Sequence, residues 1–67
     1  MTGPDAVTDL ELGVLAAYLR EGSTKMAARA LGRSPGTVAN HLAVIRQKLG
    51  VEKTAQAAFI LAERLRH

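Results

Sequence analysis

Apolar residues along this chain recur at intervals of three and four, the spacing that places them on one face of a helix. Leu10, Val14, Leu15, Tyr18 and Leu19 form a first such set, Ala27, Ala28 and Leu31 a second, and Val38, Leu42, Ile45 and Leu49 a third that is the most regular. A fourth set, Ala55, Ala58, Phe59, Ala62 and Leu65, is widened by Ala57, Ile60 and Leu61. The ends of these segments are written in residues that satisfy free backbone groups. Thr8 followed by Glu11 makes a capping box, with Val7 before it as a hydrophobic staple, so the first helix is predicted over 9–21. Ser23 caps a short helix over 24–31, which Gly32 breaks. Ser34 and Pro35 open a third helix and Gly50 closes it, giving 35–49. The fourth is predicted over 54–65. The fold class expected is therefore all-α, with four helices in one domain over 7–67 behind a flexible N-terminal arm over 1–6.

The second and third helices are joined by a tight turn containing Gly32, which is the layout of a helix-turn-helix. In that motif the second helix enters the major groove. Helix 35–49 suits this: Thr37, Asn40, His41, Arg46, Gln47 and Lys48 lie off its apolar stripe, and it carries no acid. The chain's net charge of +3 is modest, but its distribution is not. Lys25, Arg29, Arg33, Arg46 and Lys48 all fall between residues 23 and 50, where there is no Asp or Glu. Such a concentration is the footprint of a polyanion binder, and duplex DNA is the expected partner. The fourth helix is apolar over more than one stripe, so it needs two neighbours: the core, and the same helix of a second copy. A homodimer is expected through Ala55, Ala58, Phe59 and Ala62.

Other classes lose ground on the residues present. With no Cys there is neither a disulfide nor a thiolate metal site. No apolar run approaches the roughly 20 residues that span a bilayer, and the first residues lack the basic start of a signal peptide. A cytoplasmic, nucleoid-associated protein is expected. His41 has no candidate nucleophile or orienting partner, His41 and His67 are not supported as metal ligands, and Gly32 and Gly36 make no nucleotide loop. No catalytic residue, metal or cofactor is assigned. Phe59 and Tyr18, both expected to be buried, leave no stacking platform for single-stranded nucleic acid.

These residues resemble the LuxR-type, GerE-like helix-turn-helix. The resemblance is carried by Val7-Thr8-x-x-Glu11-x-x-Val14-Leu15, Ser23-x-Lys25-x-x-Ala28-x-x-Leu31-Gly32, Ser34-x-x-Thr37-Val38-x-x-His41-Leu42-x-x-Ile45-x-x-Lys48-Leu49-Gly50-Val51 and Ala55-Gln56-Ala57. It implies a four-helix domain that binds DNA as a dimer, with the third helix in the major groove and the fourth at the dimer contact. It also implies that Lys25, Thr37 and Lys48 hold phosphates, while Ala39, Asn40 and Ala43 face base edges. Arg33 and Arg46 join the phosphate set on their charge and position. Some residues depart from the family's pattern. Ala39 and Ala43 stand where Lys or Arg is frequent, Gly13 and Met26 replace a usual Glu, Leu10 and Leu12 occupy positions that are commonly charged, and Arg33 replaces an apolar plug.

Two functions from different classes follow. The first is a sequence-specific transcriptional regulator of bacterial or phage type, binding duplex DNA as a dimer. No receiver or ligand-binding domain precedes the motif in this sequence, so a signal is expected to act through abundance, a partner protein or a segment outside it. The second is a protein-binding module that engages another regulator or RNA polymerase, including a role like that of a sigma factor's promoter-binding end. Its support is Leu10, Leu12 and the weakened reading face of Ala39 and Ala43.

Overall fold

A computed structural model describes residues 3–66. A 3-10 turn, Pro4–Ala6, precedes five helices: α1 (Asp9–Glu21), α2 (Thr24–Leu31), α3 (Pro35–Leu49), α4 (Thr54–Ile60) and α5 (Ala62–Leu65). No strand occurs among the described residues.

The first three helices begin and end where the caps predict. The Thr8 hydroxyl accepts the Glu11 amide at 3.1 Å while the Glu11 carboxylate accepts the Thr8 amide at 2.8 Å. Ser23 and Ser34 accept the amides of Met26 and Thr37. Gly32 and Gly50 close α2 and α3 at φ 67° and 68°, where a side chain would be strained. Behind each, the next residue's amide reaches back into the last turn, Arg33 to the Ala28 carbonyl and Val51 to that of Arg46.

The core is one cluster built from every helix except the short α5, which adds Leu65 at its edge. Val14, Leu15 and Ala17 of α1 meet Ala27 and Ala28 of α2 and Val38, Leu42 and Ile45 of α3, with Val7, Ala57 and Leu61 completing it. The small residues of α2 let it lie close against both neighbours. Within α1 the buried line runs through Glu11, Val14, Leu15 and Ala17, whereas Leu10 is 54% exposed and Leu19 46%. The first helix is thus rotated from the face that Leu10 and Leu19 would define. The cause is Glu11, which the capping box turns inward.

The expected helix over 54–65 divides at Leu61, whose ψ of 9° departs from the helical value of about −42°. Two attachments pull its halves apart: α4 packs on α3, while α5 packs on α1. Arg64 of α5 donates to the carbonyls of Pro4 and Val7 at 3.0 and 2.8 Å and reaches the Asp9 carboxylate at 3.3 Å. Leu61, fully buried, forms the joint.

That clasp also reaches into the expected arm over 1–6. Residues 3–6 are held by Arg64 at one side and by the Gly3 amide, which donates to the Lys48 carbonyl at 2.6 Å, at the other. Residues 1 and 2, and His67, lie outside the described residues.

Glu11 is the one buried charged residue among those described, and Lys48 neutralises it across a distance of 2.6 Å. Burial alone would raise the carboxyl's pKa. The Lys48 ammonium and the Thr8 amide and hydroxyl outweigh burial and bring it below the ordinary 4.5. A carboxyl with a depressed folded-state pKa contributes stability that is present above its unfolded value and lost as pH falls through the folded one. Thermal melts of the native chain should therefore lose stability below about pH 4.5. Glu11→Gln should melt earlier at neutral pH, by about 1–3 kcal/mol, and show a flatter profile through the acid range. An unchanged acid profile would show that the pair does not govern it.

Candidate nucleic-acid interface

The interface follows from how α3 is mounted. Val38, Leu42 and Ile45 are buried, with Leu49 packed at the core's edge, so the opposite side of the helix is left to solvent along its length. Ser34 fixes the entrance of α3, and its hydroxyl also lies 2.9 Å from that of Thr37. The first turn therefore presents ordered amides and two hydroxyls at the positive end of the helix dipole. Such an end favours a phosphate.

Ala39 and Asn40 are exposed and Ala43 is half-buried, so all three expected base-facing residues lie off the buried stripe. Their side chains are short, and Asn40 is the only one of the three with hydrogen-bonding groups. Gln47 is also exposed. It was not among the expected base-facing residues, although helical spacing places it with Ala43 and Asn40, at steps of four and three.

The five expected phosphate residues separate into two kinds. Lys25 and Arg33 are exposed, with no acidic partner among the described residues. Arg29, one turn after Lys25 on α2, is exposed and without an acidic partner in the same way; it belongs to the basic segment but not to the expected phosphate set. Thr37, Arg46 and Lys48 are half-buried and each already has an internal partner. Arg46 donates to the Thr54 hydroxyl at 2.9 Å, which links the end of α3 to the start of α4. Lys48 is held against Glu11, its side chain 24% exposed. A cation so placed anchors α3 to α1. His41, half-buried on α3, sits on the side of the helix that carries Thr37 and Lys48.

The expected dimer residues lie on α4 and at the start of α5. Ala55 is exposed, Ala58 and Ala62 are half-buried, and Phe59 is 86% exposed. This overturns the expectation that Phe59 is buried, while Tyr18 is half-buried. Ala57 and Leu61 supply the core contact instead, and Phe59 is directed away from it. Ile60 beside it is 43% exposed.

A shallow cleft of about 360 Å³ lies elsewhere, lined by Asp9, Leu12, Gly13, Ala16, Arg64 and Leu65. It draws nothing from α2 or α3, and a methyl group built at Gly13 would meet no atom within 4 Å.

An all-helical fold with a Gly-containing turn between α2 and α3, a capped and acid-free exposed face on α3 and unpaired cations beside it defines a helix-turn-helix of the DNA-binding class. The family model for bacterial regulatory proteins of the luxR family matches residues 5–61. The chain belongs to that family, a family of DNA-binding transcription regulators and not of enzymes. No curated protein and no solved structure matches it significantly. No helix among the described residues is long and apolar enough to cross a membrane.

The mounting of α3 makes its cap testable. Ser34→Ala removes the acceptor of the Thr37 amide and should lower stability by about 1 kcal/mol, read as a lower melting temperature. Ser34→Asp should restore it, and a failure of Asp to restore it would show that the hydroxyl's role is not capping.

Proposed function

We propose that the protein is a sequence-specific transcriptional regulator that binds duplex DNA as a homodimer, with α3 in the major groove. The observation that carries this is the exposed face of α3: no acid, a capped N-terminal end, and Lys25, Arg29 and Arg33 on the neighbouring helix and turn, without acidic partners among the described residues. Lys25, Arg29, Arg33 and Arg46, with the Thr37 hydroxyl, hold phosphates and fix register. Lys48 supports the helix that they position. Phosphate contacts supply most of the affinity and base contacts the sequence choice. Asn40 pairs with adenine, and the methyl groups of Ala39 and Ala43 meet thymine methyls, which gives the operator an A·T bias.

The dimer forms through α4, with Phe59 as its anchor and Ala55, Ala58 and Ala62 allowing close approach. A phenylalanine 86% exposed on an apolar helix is costly to leave in water. A second copy is the occupant expected from two-fold symmetry. Phe59→Asp should weaken self-association by at least about tenfold, the scale of an interface hot spot. In sedimentation the native chain should shift towards dimer with concentration while the variant stays monomeric. A native chain that remains monomeric at all concentrations would remove the dimer from the proposal.

Binding itself is tested by fluorescence anisotropy of a labelled duplex at several salt concentrations. Four phosphates neutralised per subunit, at about 0.9 each, give a slope of log affinity against log salt of about −3.6 per subunit. Arg33→Ala should reduce that slope by about one. Lys48→Ala is a poor test of contact, because it strands Glu11.

A second reading, engagement of another regulator or RNA polymerase through α1, is favoured by the exposure of Leu10 and by the cleft at Leu12 and Gly13. Leu10→Asp should abolish activity under that reading and leave duplex affinity intact under the first.

A further inference from the structure

The α3 helix turns about 100° per residue. Taking Gly36 as the origin, Ala43, Gln47 and Asn40 fall at about −20°, 20° and 40°. The buried residues Ile45, Val38, Leu49 and Leu42 fall between about 180° and 240°. Gln47 therefore lies at the centre of the face opposite the core, and Asn40 lies beside it. The other long polar groups of α3 that can donate hydrogen bonds flank this line and are engaged: Thr37 with Ser34, Arg46 with Thr54 and Lys48 with Glu11. His41 lies towards the Lys48 flank. Asn40 and Gln47 are exposed, and no hydrogen bond among the described residues occupies either amide. Around them stand Gly36, Ala39, Ala43 and the half-buried Val44.

We propose that Asn40 and Gln47 act as a pair of amide readers, each making a bidentate contact to the N6 and N7 edge of an adenine, and that Gln47 determines sequence choice at a position of its own. This rests on the duplex-binding function proposed above. Both side chains have the donor and acceptor that adenine presents in the major groove. Seven residues at about 1.5 Å each separate them by about 10.5 Å along the helix. Base pairs rise about 3.4 Å, so the two adenines stand three base pairs apart when α3 lies along the groove. Ala43 and the half-buried Val44 lie between them on the helix surface, and both are shorter than either amide side chain, so neither keeps Asn40 or Gln47 from the groove floor. Asn40 is near the N-terminal half, where such helices usually touch bases. Gln47 is further along, where a straight helix and a curved groove diverge, and its extra methylene spans the wider gap.

The test is selection of binding sites from a random duplex pool by the full chain and by Asn40→Ala, Gln47→Ala and Gln47→Glu, with the salt slope measured for each. All three are substitutions at exposed helical positions, and circular dichroism checks that each variant folds. The native chain should select two adenines three base pairs apart in each half-site. Gln47→Ala should relax one of these positions by about 5- to 150-fold, corresponding to the 1–3 kcal/mol of a bidentate base contact. It should keep the other position and leave the salt slope unchanged. Asn40→Ala should do the converse, and Gln47→Glu should move the preference at its position from adenine to cytosine. If Gln47→Ala selects the same sequence as the native chain, or loses affinity equally for every duplex, the pairing is wrong while duplex binding stands. Undetectable binding of any duplex by the native chain at low salt would overturn the duplex-binding function as well.

Discussion

The contact between Lys48 and Glu11 holds the arrangement together. Glu11 closes the capping box that starts α1, and the same carboxylate oxygen that accepts the Thr8 amide also takes the Lys48 ammonium, at 2.6 Å. One oxygen therefore joins the beginning of α1 to the end of α3, residues 37 positions apart in sequence. The Lys48 carbonyl meanwhile accepts the Gly3 amide, so the N-terminal turn is fastened to the same residue. A buried carboxylate without its cation would be costly, by several kcal/mol for a fully buried group. The pair is thus a geometric requirement: α3 cannot shift along α1 without stranding a charge. The orientation of the exposed face of α3 follows from it.

The remaining attachments extend the same frame. Arg46 links α3 to Thr54 at the start of α4, and Arg64 clasps α5 to the turn and to the first residues of α1. Of the basic residues, Lys48 and Arg64 are thereby committed to internal acids, while Arg46 bonds a hydroxyl and keeps its charge unneutralised. Those without acidic partners are concentrated on α2 and the turn after it. The electrostatic face is consequently narrower than the count of basic residues between 23 and 50 suggests, and it is centred on α2 and the front of α3. A domain of 67 residues has little core to spare, and polar ties between its ends compensate.

What the sequence made legible were features whose causes are local. The caps at Thr8, Ser23 and Ser34 and the glycines at 32 and 50 determined the limits of α1, α2 and α3, because each acts within four residues of itself. The stripe of Val38, Leu42 and Ile45 was equally legible, since helical spacing decides it. What escaped depended on distant partners. Lys48 reads as a free cation in an acid-free segment until its acid, 37 residues earlier, is brought beside it. Leu10 reads as core until Glu11 takes the inward direction. No Gly or Pro marks the division at Leu61; it arises because α4 and α5 answer to different helices. Phe59 reads as core by composition, yet Ala57 and Leu61 fill that place first. Gln47 is legible by spacing alone, since steps of three and four place it with Asn40 and Ala43.

In the proposed function α3, mounted by Glu11 and Lys48, is the surface that meets duplex DNA. The most direct test is an NMR titration of the isotope-labelled full chain with a mixed-sequence duplex at low salt, following every backbone amide. The largest shifts should fall on Lys25, Arg33 and the exposed positions of α3 from Gly36 to Gln47, with α1 little changed. Shifts confined to Leu10, Leu12 and Gly13, or no shifts at all, would contradict it.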